Sequence, residues 1–175
     1  MKNLKILEGI SAISLLLSKA LLAFEILLGW PFSIFGYVLV AVYNFLRRDT
    51  LLGSTVVGLA AMSSYGWYKW SNELSGLFQT DYFILSLTAI FALVIYVKEA
   101  RKGGLMGHLQ GLITISTLSA FILLGHHMFT LGWIALLTSH TMLAYFYNKK
   151  DAKYYVWLQI ASIAIALTKI VNLLI

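Results

Sequence analysis

The stretch ILEGISAISLLLSKALLAFEILLGWPFSIFGYVLVAVYNFLRR, from Ile6 to Arg48, decides the fold. Between Lys5 and Arg47 lie 41 residues with a single basic group, Lys19. A helix needs roughly 20 apolar residues to cross a bilayer, so this run is two crossings back to back. Gly29-Trp30-Pro31 sits at its midpoint, and proline suits the first turn of a helix, where its missing N–H would have no partner. The turn is therefore expected there. No small-x-small cleavage pattern ends the first run, so it reads as a retained helix rather than a secretory signal.

Working outward, charged and turn-forming residues divide the chain into seven candidate spans of similar length: 6–28, 31–46, 51–70, 81–98, 105–125, 129–148 and 154–174. The composition agrees. Of 175 residues 60% are apolar and 11% charged, against about a quarter charged in soluble domains, and the mean hydropathy is +0.83. The chain reads as an integral membrane protein. With no cysteine, it holds no zinc-thiolate site, iron–sulfur cluster or catalytic thiol.

The net charge of +6 matters by position along the membrane normal rather than as a sign of nucleic-acid binding. With seven crossings, one side collects Lys2, Lys5, Arg47, Arg48, Lys98, Arg101, Lys102, Lys149, Lys150 and Lys153. The other has only Lys69 in a loop or helix end, with Glu73, Asp81, His126 and His127 nearby. Basic residues accumulate on the cytoplasmic side, which predicts an inner (plasma) membrane protein with a cytoplasmic N-terminus.

The sequence also resembles itself. A shift of 102 residues lays Leu7-Glu-Gly-Ile-Ser-Ala-Ile-Ser14 on Leu109-Gln-Gly-Leu-Ile-Thr-Ile-Ser116. Without a gap it also puts Tyr43 on Tyr145 and Arg47-Arg48-Asp49 on Lys149-Lys150-Asp151. The glycines, serines, tyrosines and basic turns favour duplication over a chance likeness of apolar helices. The expected fold is an all-α integral membrane protein of seven transmembrane helices. Two parallel three-helix bundles, 6–70 and 105–174, are joined by a linker helix, 81–98 (3+1+3). Parallel repeats about an axis along the membrane normal are a common transporter design, with substrate held between the halves.

The most specific string is Ser63-Ser64-Tyr65-Gly66-Trp67-Tyr68-Lys69-Trp70. On a helix Ser63, Trp67 and Trp70 share one face, with Tyr65 beside it. Two indoles facing a polar cavity can stack on a flat heterocycle, worth about 1–3 kcal/mol per ring by analogy with base stacking. Together with Glu8, Trp30-Pro31 and Gly36, the closing Tyr-Gly-Trp-Tyr-x-Trp resembles the nicotinamide riboside transporter (PnuC) family over roughly residues 7 to 70. That resemblance implies a seven-helix fold related to the SWEET sugar transporters. It also implies facilitated diffusion of a vitamin-type nucleoside or related ring compound, trapped by phosphorylation after its passage, with no coupling ion. The tryptophans then become candidates for the substrate cavity.

The candidate substrate-binding residues are Trp67, Trp70, Ser63, Tyr65, Tyr43, Asn44, His140, Gln159 and Lys19. Lysine near a bilayer centre costs about 2.5–3.5 kcal/mol on insertion scales, so Lys19 needs a cavity, a partner from another helix or substrate. His140 and Gln159 equally suit a structural role, since polar side chains in membrane helices often only bond to each other. Lys169, near the C-terminus, can snorkel to the interface. No catalytic motif is present: G-x-S-x-G, H-E-x-x-H and phosphate-binding glycine loops are all missing from the sequence. Neither a metal, a cofactor nor nucleic acid is expected. The expected partners are the lipid bilayer and a small-molecule substrate, with a homo-oligomer left open. Two other functions remain open: a substrate-binding membrane subunit of a vitamin importer, and a SWEET-like sugar transporter.

Overall fold

The computed structural model describes residues 2–175, with side chains from Leu4 onward, so Lys2 lies outside the described side chains. It contains seven helices: α1 (Lys2–Ala23), α2 (Gly29–Leu46), α3 (Thr50–Ser71), α4 (Gln79–Ala100), α5 (Gly104–Gly125), α6 (Phe129–Lys149) and α7 (Lys153–Leu174). Six of them are long and apolar enough to cross a membrane, and the chain is a multi-span helical membrane protein. Isoleucine, leucine and phenylalanine side chains such as Ile13, Phe35, Phe83 and Leu105 stand exposed around the outside, where lipid would cover them.

The exception is α3, which has the length but not the apolarity, because Thr50, Ser54, Thr55, Ser63, Ser64 and Lys69 dilute it. Its hydroxyls are satisfied within the helix. Ser54, Thr55, Ser63 and Ser64 each donate to the carbonyl four residues back, at 2.8 to 3.0 Å. Such back-bonding meets the requirement that polar groups away from water find partners internally.

Helix ends are set by backbone turns rather than by hydropathy. Glu25, Arg48, Glu73, His127 and Asp151 all take positive φ just after a helix. Each precedes an N–H that reaches back to the last helical turn, as in Ile26 N–H to the Leu21 carbonyl at 2.9 Å. The first turn thus lies at Phe24–Leu28, and α1 ends at Ala23 rather than at 28. Gly29-Trp30-Pro31 opens α2 instead of forming the turn. The apolar composition runs straight through Phe24 to Leu28, so hydropathy alone cannot detect this turn.

Connections of a few residues make successive helices antiparallel. Helices α1, α2 and α3 pack in chain order, as do α5, α6 and α7. Helix α1 also packs on α7 and α3 on α5, so six helices close a ring, with α4 lying outside against α5.

Specific contacts recur between the halves of this ring. Glu25 and His127, 102 residues apart, both have φ 59°, and Met128 N–H bonds the Leu123 carbonyl as Ile26 does Leu21. Ser14 Oγ donates to the Phe32 carbonyl at 2.8 Å, and Ser116 Oγ to the Ala135 carbonyl at 3.0 Å. A Cβ on Gly29 would meet Leu22 at 2.6 Å, and one on Gly132 would meet Leu124 at 2.7 Å. Trp30 and Trp133 follow these glycines, both buried. The offset is 102 through α1 and α5 but 103 from α2 and α6 onward, because His127 and Gly132 are one position further apart than Glu25 and Gly29. Tyr43 therefore corresponds to Phe146 rather than Tyr145, and Arg48 to Asp151.

Candidate functional site

The ring encloses a cavity of about 60 Å³, to which all six of its helices contribute and α4 does not. Its walls obey the same offset. Tyr37 and His140, Val40 and Leu143, Leu52 and Tyr155, and Val56 and Gln159 are pairs 103 residues apart, and every member lines it. Leu15 and Thr117, 102 apart, add a pair from α1 and α5.

The polar groups in this cavity are few and specific. His140, fully enclosed, donates Nδ1–H to Gln159 Oε1 at 2.6 Å. Its Nε2 has no partner among the described residues. Lys19 is 6% exposed, and its Nζ makes one long hydrogen bond of 3.4 Å to the Leu15 carbonyl. Among the described residues no carboxylate pairs with it.

Toward the end of the ring that carries the N-terminus, Tyr147 and Tyr155, which line both this cavity and the depression beyond it, form a closed neck, their rings 4.9 Å apart, with Tyr43 edge-on to Tyr155 at 5.9 Å. The Tyr155 hydroxyl is 3.1 Å from Ser11 Oγ. Beyond this neck two overlapping depressions of about 330 and 440 Å³ open outward, walled by Asn44, Arg47, Lys150, Lys153, Lys5 and Glu8. Lys150 and Asp49 lie 3.8 Å apart across the mouth.

The opposite end is sealed. Trp30, with no exposed surface, meets Trp70 edge-on at 5.5 Å and Phe121 at 5.9 Å, and Phe121 meets Tyr37 at 5.7 Å. Trp70 donates its indole N–H to the Leu124 carbonyl at 2.8 Å and stacks on His127. Around this plug sits a buried polar latch. Asp81 of α4 accepts from Lys69 Nζ at 2.8 Å, from the Tyr65 hydroxyl at 2.8 Å and from the Phe78 N–H at 2.9 Å. The Tyr65 hydroxyl also lies 2.9 Å from His126 Nε2. Burial holds His126, in the turn after α5, below its ordinary pKa, and the Lys69 charge adds to that effect. At the same end Lys169 Nζ pairs with Glu25 at 2.8 Å.

The structure thus distributes the sequence candidates. Lys19, His140 and Gln159 line the central cavity, and Tyr43 and Asn44 line the vestibule. The other four stand elsewhere. Ser63 bonds to Ser33 between α2 and α3 at 2.9 Å, Tyr65 belongs to the latch, and Trp70 to the plug. Trp67 is 45% exposed on the outer surface and lines neither the central cavity nor the vestibule. The face predicted for Ser63, Trp67 and Trp70 is split, because α3 turns one indole inward and one outward. Because α1 ends at Ala23, Lys19 is also about one turn from the sealed end rather than mid-helix.

Several residues were missed. Tyr147 and Tyr155 are not singled out in sequence, and Trp30 reads as part of a turn. A shift of 103, which would have laid Trp30 on Trp133 and Tyr37 on His140, was the available signal for the cavity walls. Compared with known families, characterised proteins and solved structures, the chain matches none.

Proposed function

We propose that this protein is a membrane transporter in which α1–α3 and α5–α7 act as two parallel three-helix bundles joined by α4, passing a small substrate between them. The observation that carries this reading is the central cavity. Equivalent positions of the two halves line it, a tyrosine neck connects it to a vestibule at one end, and indoles seal it at the other. Alternating access by rocking of repeats about a site between them fits this arrangement.

The substrate class we favour is a vitamin-type nucleoside or related ring compound, moved by facilitated diffusion. Aromatic rings at both ends and a largely apolar wall suit a flat ring. At about 60 Å³ the cavity is well below the roughly 300–1,000 Å³ of drug-sized sites. This shape is an occluded one, and the bundles must part to admit substrate. The basic residues around the vestibule favour a cytoplasmic orientation for that end, in an inner (plasma) membrane. Lys19, buried and unpaired, disfavours the pyridinium cation of nicotinamide riboside relative to a neutral or anionic ring.

Uptake by proteoliposomes tests the reading, using labelled nicotinamide riboside, thiamine, nicotinate and uridine. Thr117→Phe, which fills the cavity wall from α5, should abolish saturable uptake while the protein still elutes as a folded species. Saturable uptake that survives this variant would place the path elsewhere.

A further inference from the structure

Lys19 is the one charged side chain in the wall of the central cavity, and the scaffold does not require it. Its counterpart 102 residues later is Phe121, buried in the same relation to α5 as Lys19 is to α1. The recurring contacts hold equally in both halves: Ser14 with Phe32 and Ser116 with Ala135, Gly29 on Leu22 and Gly132 on Leu124. Phe121 packs against Trp30 and Tyr37, so the shared scaffold does not itself call for a lysine at this position.

Among the described residues, buried Lys69 and half-buried Lys169 have counter-charges. Lys69 has Asp81 at 2.8 Å, and Lys169 has Glu25 at 2.8 Å. Glu99, buried under the α4–α5 turn, has Lys102 at 2.9 Å and Gln110 at 2.8 Å. Lys19, by contrast, has one long bond to a carbonyl of its own helix. An ammonium in this cavity, with no carboxylate of the protein beside it, would gain a charge-assisted hydrogen bond from a ligand that brings one. His140, in the same cavity, has spent its Nδ1–H on Gln159 and offers Nε2 as an unpartnered acceptor. The cavity thus presents one cation and one bare acceptor among apolar, tyrosine, threonine and glutamine side chains.

We infer that the central cavity takes a small ring compound bearing a carboxylate, which Lys19 binds, and a hydroxyl or ring N–H, which His140 Nε2 accepts. This rests on the cavity being the substrate path and adds the charge of the substrate to it. The vestibule is consistent with it. Arg47, Lys150, Lys153 and Lys5 line its mouth against Glu8, Asp49 and Asp151, an excess of positive charge that draws anions toward the neck.

The test is equilibrium binding to the purified full chain in detergent, with acid and amide of one shape: benzoate against benzamide, and 4-hydroxybenzoate against 4-hydroxybenzamide. Wild type should bind each acid roughly ten- to a hundredfold more tightly than its amide, the worth of a charge-assisted hydrogen bond. Lys19→Met should erase that preference by weakening the acids to the level of their amides, while Lys19→Arg should keep it. His140→Phe should weaken the hydroxylated acid more than benzoate. Equal binding of acid and amide by wild type, an acid preference that survives Lys19→Met, or no saturable binding of either acid would overturn the inference. Proteoliposomes separate the two levels. Uptake of a neutral ring compound, unchanged in Lys19→Met, would keep the transporter and remove the anion. Lys19-dependent binding without passage would keep the anion site and remove the transporter.

Discussion

At the N-terminal end of the cavity, Tyr43, Tyr147 and Tyr155 form a neck that continues into an open, charged vestibule. At the other end, Trp30, Trp70 and Phe121 fill the same kind of space completely. Both closures are aromatic, so ring chemistry does not make the difference. What differs is the ion pairing behind the rings. Lys69 and Asp81 are buried and held by further bonds from Tyr65 and Phe78, whereas Lys150 and Asp49 face each other at 3.8 Å, partly in water. A buried pair locks only while it is whole, because either charge left alone in a low dielectric is strongly unfavourable. The sealed end is therefore the more firmly held of the two.

Breaking the latch should produce the largest effect. Asp81→Asn leaves Lys69 buried without its counter-charge, and should cost about 3–5 kcal/mol in thermal unfolding followed in detergent. Adding Lys69→Met should recover most of that loss. A single variant that melts with the wild type would show that the latch does not bind α4 to the sealed end. Next in size is Gly66→Val. A Cβ at Gly66 would run into the Trp30 ring, which has no exposed surface into which to retreat. Overpacking of this kind costs roughly 1–3 kcal/mol. It should also make the sealed end accessible to a thiol reagent, read at a cysteine introduced in place of Ser33. Protection equal to the parent protein would argue that Trp30 is not the seal.

The latch also contains a titratable group in the turn outside the spans. His126 has a folded-state pKa below that of the unfolded chain, about 6.5, because burial and the Lys69 charge disfavour its protonation. Lys69, Asp81 and Tyr65 are the charged or titratable groups around it. Its contribution is complete above the unfolded value and is lost as pH falls through the folded one. Melting temperature should therefore drop between neutral and mildly acidic pH, and His126→Gln should flatten that slope. An unchanged slope in the variant would assign the acid sensitivity to other groups.

Sequence made the scaffold legible to different depths. Helix count and approximate bounds followed from the length of apolar runs, because a bilayer fixes that length. The likeness between the halves was signalled by Ser14 and Ser116, whose contacts recur, whereas the basic turns aligned at 102 are one residue out of register. The first turn was misplaced because Phe24 to Leu28 is as apolar as the helix before it, and backbone conformation at Glu25 ends the helix. For the site, Lys19, His140 and Gln159 stood out because polar groups in apolar helices are costly wherever they lie. Trp67 was misjudged for the converse reason. An indole is at home in a cavity, in a core or at the lipid interface, so helical spacing could not say which side of α3 faces inward. Trp67→Ala should accordingly leave melting within about 0.5 kcal/mol of wild type and ring-compound binding unchanged. Trp70→Ala, which removes the bond to the Leu124 carbonyl, should impair both.

The smallest effect is expected at the vestibule mouth, and it bears most directly on the contrast between the ends. Lys150→Ala removes the ion pair with Asp49, but both partners are partly exposed and 3.8 Å apart. Water and salt screen such a pair, which contributes at most about 1 kcal/mol. Stability should therefore barely change. The kinetics should change more, since the lost charge belongs to the field that steers an anion toward the neck. The association rate of 4-hydroxybenzoate should fall severalfold at low ionic strength and converge with wild type in high salt, with dissociation unaltered. A variant that instead melts much lower would mean that the Lys150–Asp49 pair is a second latch, and that both ends are held by the same device.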